Sequence, residues 1–285
     1  MPFFEVDGQK IFAHEEGSGR NLAIMIHGWS SSWFAVSPLI PYLSQRYRCL
    51  AVDLPGYGES PALPDPVTIE SYADLIAGLI RQETSRPAIL VGHSMGGMTS
   101  ITLALKYPDL VERMILLCPT VSGILSWQIN VTLSPFVFLE RFPVISSIIS
   151  VFEPMVGITD RLLRPTLFAD QTGITMQDYE KIRSDTRRRD QGRVRAECFR
   201  AMRNNDLREQ LDEVKPPALV IWGMEDNTVP LRDASAVARQ WPDADLRIIP
   251  NAGHWPQFET PEITERYVRA FVGKPVKLLT LDLDL

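Results

Sequence analysis

The sequence predicts an α/β fold: a mostly parallel twisted sheet with helices on both faces. Three observations lead there. Short apolar runs recur along the chain without the polar alternation of strands that face water on one side. Stretches with helical spacing separate these runs, the pattern of strand–helix–strand crossovers. The segment Gly92-His-Ser-Met-Gly-Gly97 also passes straight from an apolar run into a helical stretch, a junction that belongs at the carboxyl end of a parallel strand.

The elements follow in order. Phe3–Val6 and Lys10–Glu15 flank Asp7-Gly8, a hairpin signal. Leu22–Ile26 is continuously apolar, as a strand buried on both faces requires. Arg48–Val52, Ala88–Val91, Val111–Leu117, Ala218–Trp222 and Asp245–Ile249 are strands of the same kind. Ala35–Leu43, Ile69–Arg81, Met95–Lys106, Ala234–Trp241 and Pro261–Phe271 carry the helical patterns. The alternation breaks once. From Thr120 to Leu211 only helix-like stretches occur, punctuated by Pro135, Pro143, Pro154, Gly157, Pro165 and Gly173. Residues 1–119 and 212–285 are therefore expected to form one core domain, and 120–211 an inserted helical cap. Charge agrees: the insertion holds 13 basic and 11 acidic residues, so it carries +2 and the remainder −8, giving the net −6. The tail 274–285, with alternating Leu and Asp, reads as a frayed end or an added edge strand.

Composition narrows the function classes. At 285 residues, 45% hydrophobic and 22% charged, the chain can bury a large core. A net charge of −6 without an aromatic-laced basic stripe argues against nucleic acid as a partner. Cys49, Cys118 and Cys198 are odd in number and far apart, so no disulfide framework is implied. The opening Met-Pro-Phe-Phe-Glu-Val-Asp-Gly lacks the basic and apolar regions of a secretory signal, and a cytoplasmic location is expected. Met114–Leu139 is uncharged, yet Pro119, Gly123, Gln128, Asn130 and Pro135 interrupt it, so no membrane span is expected. Four dispersed histidines and three dispersed cysteines show no ligand spacing; no metal and no cofactor are expected.

Small residues two before and two after a serine, between a strand and a helix, describe a nucleophile elbow. Gly92 and Gly96 let the turn close, and Ser94 stands at its tip with the Met95 N–H starting the next helix. A serine hydroxyl needs a base to take its proton, and the base needs a third group to fix its tautomer. Of the histidines, His14 falls in an N-terminal strand, and His27 and His93 lie in tight loops suited to structural hydrogen bonding. His254, in the loop after the last strand, sits where the order Ser…Asp…His puts the base. The acid belongs between them, after the Ala218–Trp222 strand, where Glu225 and Asp226 are adjacent; Asp226 is the choice, with Glu225 read as a cap of the next turn. Cys118-Pro119-Thr120, after the preceding strand, offers no acid. An oxyanion hole needs two backbone donors; Met95 N–H is one, and the loop His27-Gly28-Trp29-Ser30 offers Trp29 N–H as the other.

The joint order of His27-Gly28-Trp29, Asp53-Leu-Pro-Gly-Tyr-Gly-Glu-Ser60, Gly92-His-Ser-Met-Gly96, Gly223-Met-Glu-Asp226 with Pro230 after it, and Gly253-His254 resembles the α/β-hydrolase superfamily of the cap-bearing kind. The resemblance covers essentially the whole chain. It implies the nucleophile, acid and base roles for Ser94, Asp226 and His254, with acyl transfer to water and no cofactor. The Asp53–Ser60 loop resembles a structural turn of the family. Dehalogenase and epoxide-hydrolase relatives carry Asp at the nucleophile position, and Ser94 speaks against both. C–C bond hydrolases of dienoic ketoacids remain an alternative, although those relatives often carry Asn where this chain has His93. Lactone hydrolysis and a non-catalytic binder on the same scaffold are the others. The apolar first part of the cap suggests a hydrophobic pocket with Trp29, Trp127 and Trp255 as walls, hence a small-molecule hydrophobic ester of short-to-medium acyl chain. Arg187-Arg188-Arg189 reads as a solvated face, or as the seat of a substrate carboxylate.

Overall fold

A computed structural model gives the architecture and describes residues 2–127, 129–131, 168–169, 173–186 and 191–274. Among them, eight strands form one sheet: β1 (Phe3–Val6), β2 (Gln9–Glu16), β3 (Asn21–Ile26), β4 (Tyr47–Val52), β5 (Ala88–His93), β6 (Val111–Leu117), β7 (Ala218–Gly223) and β8 (Asp245–Ile249). Their order is β1-β2-β4-β3-β5-β6-β7-β8. The β1–β2 and β2–β4 pairs are antiparallel, and all later neighbours are parallel. The helices are α1 (Ile40–Leu43), α2 (Ile69–Glu83), α3 (Met95–Lys106), α4 (Met176–Thr186), α5 (Gly192–Asn204), α6 (Leu231–Gln240), α7 (Pro256–Glu259) and α8 (Pro261–Val272).

The apolar strands are continuous because both faces of the sheet are covered. Along β3, Leu22, Ile24 and Ile26 join a cluster with Ile76 and Ile80 of α2 and Met98 and Ile101 of α3. Ala23 and Met25 point the other way, into a cluster with Leu39, Leu43 and, from α8, Val268 and Phe271. Each fully buried aliphatic side chain contributes about 1.5–3 kcal/mol relative to exposure. The N-terminal hairpin turns at Asp7 (φ 49°) and Gly8 (φ 80°), the pair of left-handed residues that a tight two-residue turn requires. α2 starts on a reciprocal cap: Thr68 Oγ1 accepts from Ser71 N at 3.0 Å, and Ser71 Oγ accepts from Thr68 N at 3.0 Å.

One expected helix is broken. In place of a single helix over 35–43, a 3-10 turn runs from Trp33 to Leu39 and only the short α1 follows. Pro38 and Pro41 each lack an N–H, so an α-helical ladder cannot cross them. α6 begins three residues earlier than its apolar pattern, directly after Pro230.

Strand order reverses around β3, with β4 on one side and β5 on the other, so the loops leaving these strands diverge and open a crevice at the carboxyl edge. The loops after β3, β5, β6, β7 and β8 all emerge at that edge, since these strands are parallel.

Within 120–211 the described residues include α4 and α5 and no strand. The chain enters this segment through a buried clamp. Asp233 Oδ2 accepts from Val121 N (3.0 Å), Ser122 N (2.8 Å) and Ser122 Oγ (3.0 Å). A third apolar cluster joins Phe168, Ile174, Tyr179 and Ile182 to Ala35, Trp255 and Phe258 of the core. No described helix is long and apolar enough to cross a membrane. The expectations for Arg187-Arg188-Arg189 and for the tail beyond 274 lie outside the described residues.

Candidate active site

β5 ends at His93 and α3 begins at Met95, which leaves Ser94 at the tip with φ 54° and ψ −115°. A non-glycine residue held there costs on the order of 1–3 kcal/mol, so the surroundings must enforce it. They do so through backbone bonds. Ser94 N donates to Leu117 O at 2.9 Å, and the Ser94 carbonyl accepts from Gly97 N (2.9 Å), Met98 N (3.2 Å) and Thr120 N (3.1 Å). A Cβ on Gly92 would sit 2.5 Å from Gly96 O, and one on Gly96 would sit 2.2 Å from Ile26 O. Both glycines are required by close approach.

The loop after β3 runs beside this elbow: a Cβ on Gly28 would lie 3.1 Å from Ser94 Cβ. His27 shapes it. Its Nδ1–H donates to Gly28 O at 2.7 Å, while Nε2 accepts from Leu54 N at 2.9 Å. Burial pushes its pKa down to about 4, so the ring is a neutral strut. Among the described residues, neither Met95 N–H nor Trp29 N–H meets an acceptor. The Trp29 indole donates to Arg195 O of α5 at 2.9 Å and lies against Phe199. Further along, Ser32 Oγ donates to Asp185 Oδ2 of α4 at 2.6 Å, and Lys181 Nζ donates to the other oxygen of that carboxylate at 2.5 Å. The loop is thus bonded to both α4 and α5. Beneath it, the buried Asp53 carboxylate accepts from Trp33 N (2.7 Å) and Glu59 N (2.9 Å). Burial raises its pKa to about 6.

Asp226 and His254 meet after β7 and β8. His254 Nδ1–H donates to Asp226 Oδ2 at 2.9 Å, and both side chains are buried. Asp226 Oδ1 accepts from Thr228 N (2.8 Å) and Val229 N (3.0 Å), which fixes the carboxylate plane. Glu225 faces elsewhere. It neither touches the imidazole nor caps the next turn: its backbone N donates to Ala252 O (3.0 Å) and its Oε2 accepts from Ala252 N (3.2 Å). His93, next to Ser94, donates from Nε2 to His254 O at 2.9 Å, with the two rings 4.9 Å apart. The elbow and the His254 loop are therefore in direct contact.

Of the residues singled out in the sequence, Ser94, Met95, Trp29, Asp226 and His254 share the carboxyl edge. Trp255 is buried there, its ring 4.4 Å from that of His93. Trp127 is exposed. Cys118, after β6, adjoins the same pair. Its backbone is left-handed (φ 43°), its Sγ lies within 4.8 Å of a carboxylate oxygen of Asp226 and a ring nitrogen of His254, and burial, with Asp226 beside it, keeps the thiol protonated.

Comparison with known proteins shows the family. The family model described as "Alpha/beta hydrolase family" matches residues 23–266. An uncharacterized hydrolase of Bacillus subtilis is 30% identical over 94% of this chain and 96% of its own length. The 2-hydroxy-6-oxononadienedioate/2-hydroxy-6-oxononatrienedioate hydrolase of Burkholderia vietnamiensis is 27% identical over 94% of this chain and 93% of its own. A thermophilic esterase from Thermogutta terrifontis, solved with malate bound, superposes with a TM-score of 0.78 at 25% identity, covering 96% of this chain and 98% of that one. With its sheet order, elbow and match across nearly the whole length, the chain belongs to the alpha/beta hydrolase family.

Proposed function

We propose that this hydrolase cleaves a hydrophobic small-molecule carboxylic ester through an acyl-enzyme on Ser94. The observation that carries the reading is the buried His254–Asp226 pair at 2.9 Å, on the loop that His93 bonds to the elbow of Ser94. Asp226 holds Nδ1 protonated and so leaves Nε2 free to accept. His254 Nε2 takes the Ser94 proton as Oγ bonds to the ester carbonyl carbon. The oxyanion is met by the N–H groups of Met95 and Trp29, which have no acceptor among the described residues. Collapse breaks the carbon–oxygen bond, and His254 returns the proton to the departing alkoxide. Water then repeats the sequence on the acyl-enzyme and releases the acid.

A second reading, C–C bond hydrolysis, is favoured by the Burkholderia relative; His93 at the position where such enzymes often carry Asn weighs against it. One comparison separates them. Ester hydrolysis predicts that a fluorophosphonate probe labels wild-type protein and spares Ser94→Ala, and that p-nitrophenyl esters are turned over faster than a ring-cleavage dienoate. An apolar pocket further predicts kcat/KM rising from acetate to butyrate, by up to about 0.8 kcal/mol per buried methylene. Labelling of Ser94→Ala would dismiss the nucleophile, and a preference for the dienoate would dismiss the ester.

A further inference from the structure

We propose that Glu259 is a positioning residue for His254, holding the backbone on either side of the base. Glu259 closes the four-residue helix α7 and is buried. Its Oε1 accepts from Gly253 N at 3.0 Å and from Trp255 N at 3.0 Å, the two amides on either side of His254. Its Oε2 accepts from Ala169 N at 2.7 Å, a residue of the 120–211 segment. The neighbouring Phe168 stacks on Trp255, so an apolar contact runs alongside the polar one. The inference rests on the triad reading above.

The physical argument is geometric. Asp226 fixes the imidazole tautomer but leaves the backbone that carries the ring unconstrained. Four hydrogen bonds hold that backbone: Ala252 N to Glu225, Gly253 N and Trp255 N to Glu259, and His93 Nε2 to the His254 carbonyl. Two of these four go to the single oxygen Oε1. Charge-assisted bonds of this kind are shorter and roughly twice as strong as neutral ones. Displacing a catalytic group by about 1 Å costs on the order of 10²-fold in rate. The second oxygen accepts from Ala169 N, so the carboxylate is bonded through both of its oxygens. Among the described residues, the charged and titratable groups facing this loop include Asp226 and Glu225 after β7, His93 after β5, Cys118 after β6 and Glu259 itself.

The test uses the full chain, with p-nitrophenyl acetate as substrate and a fluorophosphonate as label. Glu259→Gln keeps the shape and one acceptor oxygen but removes the charge. Expected are a kcat lowered on the order of 10²-fold with KM little changed, labelling slowed in proportion, and partial recovery in Glu259→Asp. The acid limb of kcat/KM should also move to lower pH, since a negative charge that favours the imidazolium is gone. A folded Glu259→Gln with wild-type labelling rate and an unmoved acid limb overturns the proposal and leaves the triad standing. No labelling of wild-type protein, or labelling of Ser94→Ala, overturns the triad instead. If neither Glu259 variant folds, amide exchange in the unmodified protein decides. Protection of Gly253 and Trp255 equal to that of β7 supports the clamp, and fast exchange refutes it.

Discussion

Ser94 and His254 sit on touching loops of one sheet edge and are held there by opposite means. The serine is held by backbone. Four main-chain hydrogen bonds and two glycine approaches leave it one conformation, and no side chain outside the turn is needed. The histidine is held by side chains, from Asp226, Glu259 and His93, of which Asp226 is 28 residues away and His93 is 161. A backbone-held group is spoiled by bulk, and the fold suffers with it. A side-chain-held group can be spoiled by an isosteric change that leaves the fold intact.

The largest expected effect lies on the side-chain-held half. Asp226→Asn should remain folded, because Oδ1 can still accept from Thr228 and Val229, yet lose about 10⁴-fold in kcat as the histidine tautomer inverts. Glu225→Gln, one residue away, should lose less than about tenfold, since its acceptor serves only Ala252 N. Steady-state kinetics on both variants decide the matter, and the reverse ranking would move the acid to Glu225. Next in size is Gly96→Ala on the backbone-held half. The added methyl meets Ile26 O, so stability should fall by about 1–3 kcal/mol or more in denaturant titration. A variant as stable as wild type would show that the elbow has room to relax.

The smallest effect sharpens the comparison beneath the elbow. His27 has its folded pKa depressed to about 4, below its unfolded value, so its contribution is present above about pH 6.5 and lost as pH falls towards 4. Asp53 has its folded pKa raised to about 6, so it opposes this, adding stability as pH falls from 6 towards 4. Asp53→Asn removes the opposing part. Its loss of stability between pH 7 and 4.5 should exceed that of wild type by about 1–2 kcal/mol. Equal slopes would mean that Asp53 does not titrate in this range.

What was legible in the sequence follows the same division. The parallel strands and the elbow are written in contiguous residues, because a doubly covered strand must be apolar throughout and a tight turn must have glycine at fixed offsets. Asp226 was readable from its place after a strand, although nothing local separates it from Glu225; the separation comes from β8 bringing His254 alongside. Glu259 is not legible in the sequence, because its partners among the described residues include the backbone amides of Ala169, Gly253 and Trp255, which leave no trace in residue type. The stretch 35–43 departs from its helical apolar spacing because Pro38 and Pro41 deny it the ladder.

The bonds that tie the loop after β3 to α4 and α5 bear on how such a protein could be re-engineered. Trp29 hands its indole hydrogen to the Arg195 carbonyl, and Ser32 hands its hydroxyl hydrogen to Asp185. A foreign cap grafted between Thr120 and Leu211 must therefore supply two acceptors at these places, whatever pocket it brings. A graft lacking them would strand two donors beside the turn that presents Trp29 N–H, and each stranded donor costs about 1–3 kcal/mol. Transplants should be chosen by this pair of acceptors first and by the shape of their cavity second.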